Sequence, residues 1–179
     1  VSLMIAMFVL SRDQTAQAVL PFDKNQFADE LAKQQINQLY YSGQTGAGDE
    51  LALSAQSAVE GFDGQKMLEM RAVSASIKGK NGLEIEATAQ FGQYLYSEKL
   101  LKMTGAVLIS SSSGYKLSSP ELRILIDGTY IFGEGPIEGL SPVGKIYAGR
   151  MEITRKNAKA PMQLWFGEQV VLNYEPSEI

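Results

Sequence analysis

From about Ile36 onward, apolar and polar residues alternate in short runs rich in β-branched and aromatic side chains, cut by glycine, Asn-Gly, Asp-Gly and serine clusters. In Leu83 to Phe91 the apolar residues are Leu83, Ile85, Ala87, Ala89 and Phe91, while Glu84, Glu86, Thr88 and Gln90 fall between them. A strand points successive side chains to opposite faces, so this pattern predicts one buried face and one solvated face. The same reading applies to Leu51, Leu53 and Ala55, to Leu68, Met70 and Ala72 against Glu69 and Arg71, and to Leu101, Met103, Val107 and Ile109. An all-β domain of stacked antiparallel strands over residues 36–179 is predicted, with residues 1–35 set apart from it.

The strand segments recur. LALSAQSA begins at Leu51, LEIEATAQ at Leu83, YKLSSPEL at Tyr115 and IYAGRMEI at Ile146, at separations of 32, 32 and 31 residues. A second series, LEMRAVSA from Leu68, LLKMTGAV from Leu100, IFGEGPIE from Ile131 and LWFGEQVV from Leu164, is spaced 32, 31 and 33. Each long period thus holds two strands with their turns. Regular spacing is also what an ordinary sandwich or barrel gives, but the recurring Leu-x-[Leu/Ile]-x-Ala core favours a true repeat.

Small residues recur on the predicted inner face, at Ala55, Ala72, Ala87, Ala89, Gly105 and Ala148. They fit either two twisted sheets that approach closely or a groove that something else fills. Met70, Met103, Met151 and Met162 suit an adaptable apolar lining as well as plain core filling.

The N-terminus reads differently. Val1 to Leu10, VSLMIAMFVL, is uncharged and mostly apolar but spans only about 15 Å as helix, half of a hydrocarbon core. It fits the end of a membrane anchor, the apolar region of a secretory signal cleaved after Ala16-Gln17-Ala18, or a buried helix. Thr15 to Gln38 reads as a polar linker with at most a short helix.

Composition narrows the chemistry. Lysine and arginine number 16 against 20 acids, a net charge of −4 with the charges scattered, which argues against a nucleic-acid partner. The chain has no cysteine and no histidine, so serine–histidine and cysteine–histidine catalysis are excluded, as is a thiolate metal site. Glu84 and Glu86, and Asp49 and Glu50, are paired acids, but the first pair shares a solvent face and lacks the burial that marks a catalytic carboxylate. Ser110 to Ser113 with Gly114 reads as a hairpin loop without a base to activate a hydroxyl. Gly133 to Gly139, GEGPIEG, lacks the lysine and helix of a phosphate loop and reads as a bent strand or bulge. No catalytic residue, metal or cofactor is expected.

These residues resemble the LptC family of the lipopolysaccharide export bridge. The likeness rests on the apolar segment Val1 to Leu10, the polar linker, LptA/OstA-type repeats such as ATAQFGQYLYSEKLLKMTGAVLISSSSGYKLSS, and GPIEGLSPVGKIYAGRMEI from Gly135 to Ile153. Within these, Thr104 to Val107, then Gly114 to Leu117, then Pro136 to Gly139 form the more specific series. The resemblance implies a β-jellyroll in the periplasm, held to the inner membrane by a single N-terminal span. It implies no enzyme, but a protein that accepts lipopolysaccharide from the LptB, LptF and LptG transporter and passes it to LptA, with acyl chains between the sheets. The implied lipid contacts on the inward face are Leu53, Met70, Ile85, Ala87, Met103, Val107, Leu117, Ile124, Ile137, Ile146, Phe166 and Val170.

The segment Met162 to Asn173 ends the repeat series as a final strand whose outer edge has no successor to pair with. Leu164, Phe166, Val170, Val171 and Leu172 are the candidate edge residues for strand addition by a partner, which the resemblance names as LptA. The alternative is that Tyr174 to Ile179 folds back over that edge. A structural or adhesive β-repeat protein with a closed core is the competing function, and a carbohydrate-active jellyroll enzyme a weaker one.

Overall fold

The alternating runs become ten strands in the computed structural model, which describes residues 36–61, 66–126, 130–155 and 160–174. They are β1 (Ile36–Gln44), β2 (Glu50–Glu60), β3 (Met67–Lys78), β4 (Glu84–Leu95), β5 (Leu100–Ser111), β6 (Lys116–Leu125), β7 (Tyr130–Ser141), β8 (Gly144–Thr154), β9 (Gln163–Gly167) and β10 (Val171–Tyr174). All described residues belong to the unit Gln34–Ile179. The expectations for Val1 to Leu10 and for the linker lie outside the described residues.

The strands form one antiparallel sheet in chain order from β1 to β8, with β9 and β10 both paired to the far side of β8. Short connections impose this order, because strands joined by tight turns pair with their neighbours. Ser111 to Tyr115 is such a turn: the Gly114 N–H donates to the Ser111 carbonyl at 3.0 Å, and Gly114 takes φ +94°. The expected serine loop is therefore a hairpin. At Gly79 to Leu83, Asn81 accepts from the Leu83 N–H through its side chain and Gly82 takes φ +82°, as an Asn-Gly pair favours.

Near its middle, every long strand breaks its alternation. In β4 the buried positions are Ile85, Ala87 and Ala89, then Gly92; in β3 they are Leu68 and Met70, then Val73 and Ala75. Register shifts fall between Thr88 and Phe91, Thr104 and Val107, Ser118 and Glu121, and Glu134 and Ile137. Positive φ at Gln38, Ala72, Gly105, Ala106 and Gly135 falls on the same line. Together these irregularities form a crease across the sheet, because a bulge bends its strand and increases the local twist. Pro120 sits on it, where a residue without an N–H costs no ladder bond. Gly133 to Gly139 supplies the bend of β7, as its sequence suggests.

Folding along this crease brings the two halves of the sheet face to face, which is the expected jellyroll. Tyr115 at the start of β6 packs against Phe166 of β9, with ring centroids 6.2 Å apart. A single core cluster joins Leu51, Ile77, Ile85 and Leu117 from one half to Leu101, Leu122, Ile131 and Met151 from the other. The crease also corrects part of the alternation reading: Phe91 and Ala72 face outward, Phe91 being 47% exposed. A half-twist at each crease exchanges inner and outer positions for the rest of the strand.

Candidate functional site

The interior is built from both halves. Ten of the twelve residues expected to face inward, Leu53, Met70, Ile85, Ala87, Met103, Val107, Leu117, Ile124, Ile137 and Ile146, are buried there. Phe166 is partly buried and packs on the same cluster. Val170 does not join them: it is 47% exposed, in the break between β9 and β10. Its assignment to the inner face is corrected, and the cause is local. The expected single strand Met162 to Asn173 is two strands, because Glu168 and Gln169 take φ +61° and +53° and the Gly149 N–H bonds to the Glu168 carbonyl. Gly167 pairs with Arg150 and Val171 with Tyr147, so one extra residue is inserted opposite β8.

Buried residues outside those twelve include Leu51, Leu68 and Leu101, which the alternation places on the buried face, Met151, which the sequence offers as apolar lining, and Val73, Ala75, Ile77, Leu122, Ile131 and Ile153. Leu51, Leu68, Leu101 and Leu122 stand two positions from a named one, where the period of two carries the signal, whereas Val73 and Met151 lie just across the crease. The interior is closely filled: Leu101, Met103, Val107 and Met151 have no exposed surface. Where Leu53 and Ile85 face Ile124 and Ile131, the space left is only ≈ 20 Å³. A larger cavity of ≈ 190 Å³ opens between Ile109, Tyr115 and Leu117 on one half and Met151, Ile153, Met162 and Leu164 on the other.

Among the described residues, a buried ion pair joins the two halves at their rims. Arg155, just after β8, donates from Nη2 to the Asp49 carboxylate at 2.5 Å, and both side chains are almost wholly buried, at 6% and 4% exposure. The turn before β2 prepares the acid: the Asp49 N–H donates to the Thr45 hydroxyl at 3.2 Å, and the Thr45 hydroxyl donates to Asp49 at 3.4 Å. Nothing in the sequence marks this pair, whose members are 106 residues apart.

Outside, charges are solvated. Glu84 and Glu86 are exposed, and Glu86 accepts from the Ser74 hydroxyl. Glu121 is pushed upward by desolvation, but hydrogen bonds and charge from Lys102 and Arg123 outweigh that and hold its pKa below the usual value. Tyr94 and Tyr96 stack edge to face at 5.1 Å, and burial raises both hydroxyls above the ordinary tyrosine range. The outward-turned edge of β9 and β10 shows apolar surface at Trp165, Val171, Leu172 and Tyr174, while Leu164 is half-buried. Among the described residues no helix is long and apolar enough to cross a membrane.

The family profile described as lipopolysaccharide-assembly, LptC-related, matches residues 22–163. The chain belongs to the LptC-related family. No curated protein matches it. Membership bears out the resemblance seen in the repeats and gives the protein a role in lipopolysaccharide transport. The LptC-related match also covers the whole run from β1 through β8, the strands that build the apolar interior.

Proposed function

We propose that this protein holds the acyl chains of lipopolysaccharide between the two halves of its folded sheet, taking the lipid from the LptB, LptF and LptG transporter and passing it to LptA. In this reading residues 1–35 hold residues 36–179 to the inner membrane, with the β-domain in the periplasm. The observation that carries it is the facing of two apolar half-sheets, lined from both sides and continued into the cavity beside Met151 and Met162. The close filling of the rest of the interior favours a second reading, a structural β-repeat protein with a closed core.

Photocrosslinking in cells separates them. Crosslinkers at Ile85, Met103, Leu117 and Phe166 are expected to capture lipid, and those at Glu84, Glu86 and Lys102 to capture little, since the two sets lie on opposite faces. Equal yields from both sets would leave the closed core as the better account.

LptA docking is assigned to the outer edge of β9 and β10, which no other described strand pairs and which shows Trp165, Val171 and Leu172. Successive N–H groups of an antiparallel strand point to opposite sides. Of Val171→Pro and Leu172→Pro, therefore, one removes a bond to β8 and the other an outward donor. The outward one is expected to weaken LptA binding about tenfold while changing stability by less than about 1 kcal/mol. If isothermal titration finds LptA affinity unchanged in both variants, this edge is not the docking site.

A further inference from the structure

Beside the Asp49–Arg155 pair lies a cavity of ≈ 380 Å³ between Ala47, Asp49 and Gly79 to Asn81 on one rim and Arg155 and Ala160 to Met162 on the other. Asp49 engages Nη2 of Arg155, but the buried Nε has no hydrogen-bond partner among the described residues. A guanidinium carries its donors in a rigid fork matched to carboxylate and phosphate oxygens, and leaving one buried donor unpaired is costly. The second cation is Lys80: a Cβ on Gly48 would stand 2.5 Å from its ammonium, so Lys80 lies over the turn that carries Asp49. Lys80 is exposed and makes no ion pair among the described residues. Arg155 and Lys80 against Asp49 leave the site with one net positive charge. Its lining includes apolar Leu83 and Met162, and these two residues also line the ≈ 190 Å³ cavity between the half-sheets.

We propose that this rim cavity binds a phosphate group, with the Arg155 Nε and the Lys80 ammonium as donors, and that the phosphate is the headgroup of the amphiphile whose chains enter beside Leu83 and Met162. The proposal rests on the lipid-handling reading above and adds to it where along the rim the charged end of the lipid sits. The rim chemistry suits this division: Lys80 and Arg155 face the cavity from its two rims, and Leu83 and Met162 are shared with the cavity lined by Ile109, Leu117 and Met151. Lys80 has the freedom to follow the ligand, whereas Arg155, fixed by Asp49, sets its place.

The full chain is titrated with dihexanoyl phosphatidic acid, uncharged dihexanoylglycerol and inorganic phosphate, following the Arg155 Nε–H resonance and the methyl resonances of Ile85, Met103 and Leu117. Phosphatidic acid is expected to shift the Arg155 resonance and dihexanoylglycerol to leave it in place. Lys80→Gln, a surface change that does not threaten the fold, is expected to weaken phosphatidic acid binding about tenfold and dihexanoylglycerol binding not at all. A shift with inorganic phosphate as well shows that the site reads the phosphate itself; a shift with phosphatidic acid alone shows that the acyl chains deliver it. An unmoved Arg155 resonance with phosphatidic acid and with phosphate, or an equal shift with dihexanoylglycerol, overturns the site. Lipid-induced shifts at the inward methyls beside an unmoved Arg155 would overturn the site and spare the lipid-handling reading. Silent methyls with a phosphate-shifted Arg155 would do the reverse.

Discussion

Arg155→Met is expected to lower the stability of the β-domain by about 3–5 kcal/mol, more than most single substitutions, although methionine replaces a side chain of similar length. The substitution leaves the Asp49 carboxylate at 4% exposure without its cation, and an uncompensated buried charge must draw in water or take up a proton. Thr45 offsets only part of this, since its hydroxyl gives the carboxylate one hydrogen bond at 3.4 Å but brings no charge. The double variant Asp49→Leu/Arg155→Met removes both charges and is expected to recover most of the loss, because desolvating the pair already consumes much of what its attraction gains. Urea unfolding of the wild type, both single variants and the double variant forms a mutant cycle. A double variant as unstable as the sum of the two singles would show that the residues act separately and do not clamp the rims together. The cycle also tests whether the halves part there, because a weakened rim should expose the interior before the strands unfold.

The strand series, the buried face within each half-strand and the bend at Gly133 to Gly139 were legible because each rests on local pattern. Leu83 to Ala89 alternates in the sequence as in the structure, and Gly135 with Pro136 announces its own irregularity. The crease was not legible where ordinary residues make it. Ala72 takes φ +49° and Gln38 φ +64° without the glycine that usually marks such a position, so a period of two read through β3 carries Ala72 to the wrong face, and in β4 Gln90 and Phe91, both exposed, break the alternation with no positive φ. Glu168 and Gln169 hid the break between β9 and β10 in the same way, and with it the exposure of Val170. In these places the facing of the half-sheets imposes the backbone, and strand-level pattern contains no record of a partner surface folded over from elsewhere in the chain. The rim pair is the extreme case: Asp49 reads as a turn acid and Arg155 as a strand-end cation until the fold sets them together.

Gly139 tests the other half of that argument, the places where a glycine is required by a close approach between strands. It lies in β7 opposite Leu117 of β6, at φ +154°, in a region that side-chain-bearing residues occupy only at a cost. A Cβ there would run into the Lys116 carbonyl oxygen and stand 2.9 Å from the Leu117 Cα. These are backbone atoms of the neighbouring strand, so no rotamer change relieves the overlap and the β6–β7 ladder itself must shift. Gly82 is the control, with φ +82° and open space around its missing Cβ. Gly82→Ala is expected to cost about 1 kcal/mol from backbone strain alone, and Gly139→Ala about 3 kcal/mol or more, from strain and displacement together. Thermal and urea unfolding of the two variants measure the difference. Equal losses would mean that the β6–β7 approach yields freely at this point, and that Gly139 is needed for its φ alone. A larger loss at Gly139, with hydrogen exchange accelerated first at Leu117 and Ile137, would locate the weakened contact in the strand pair that carries the middle of the apolar interior.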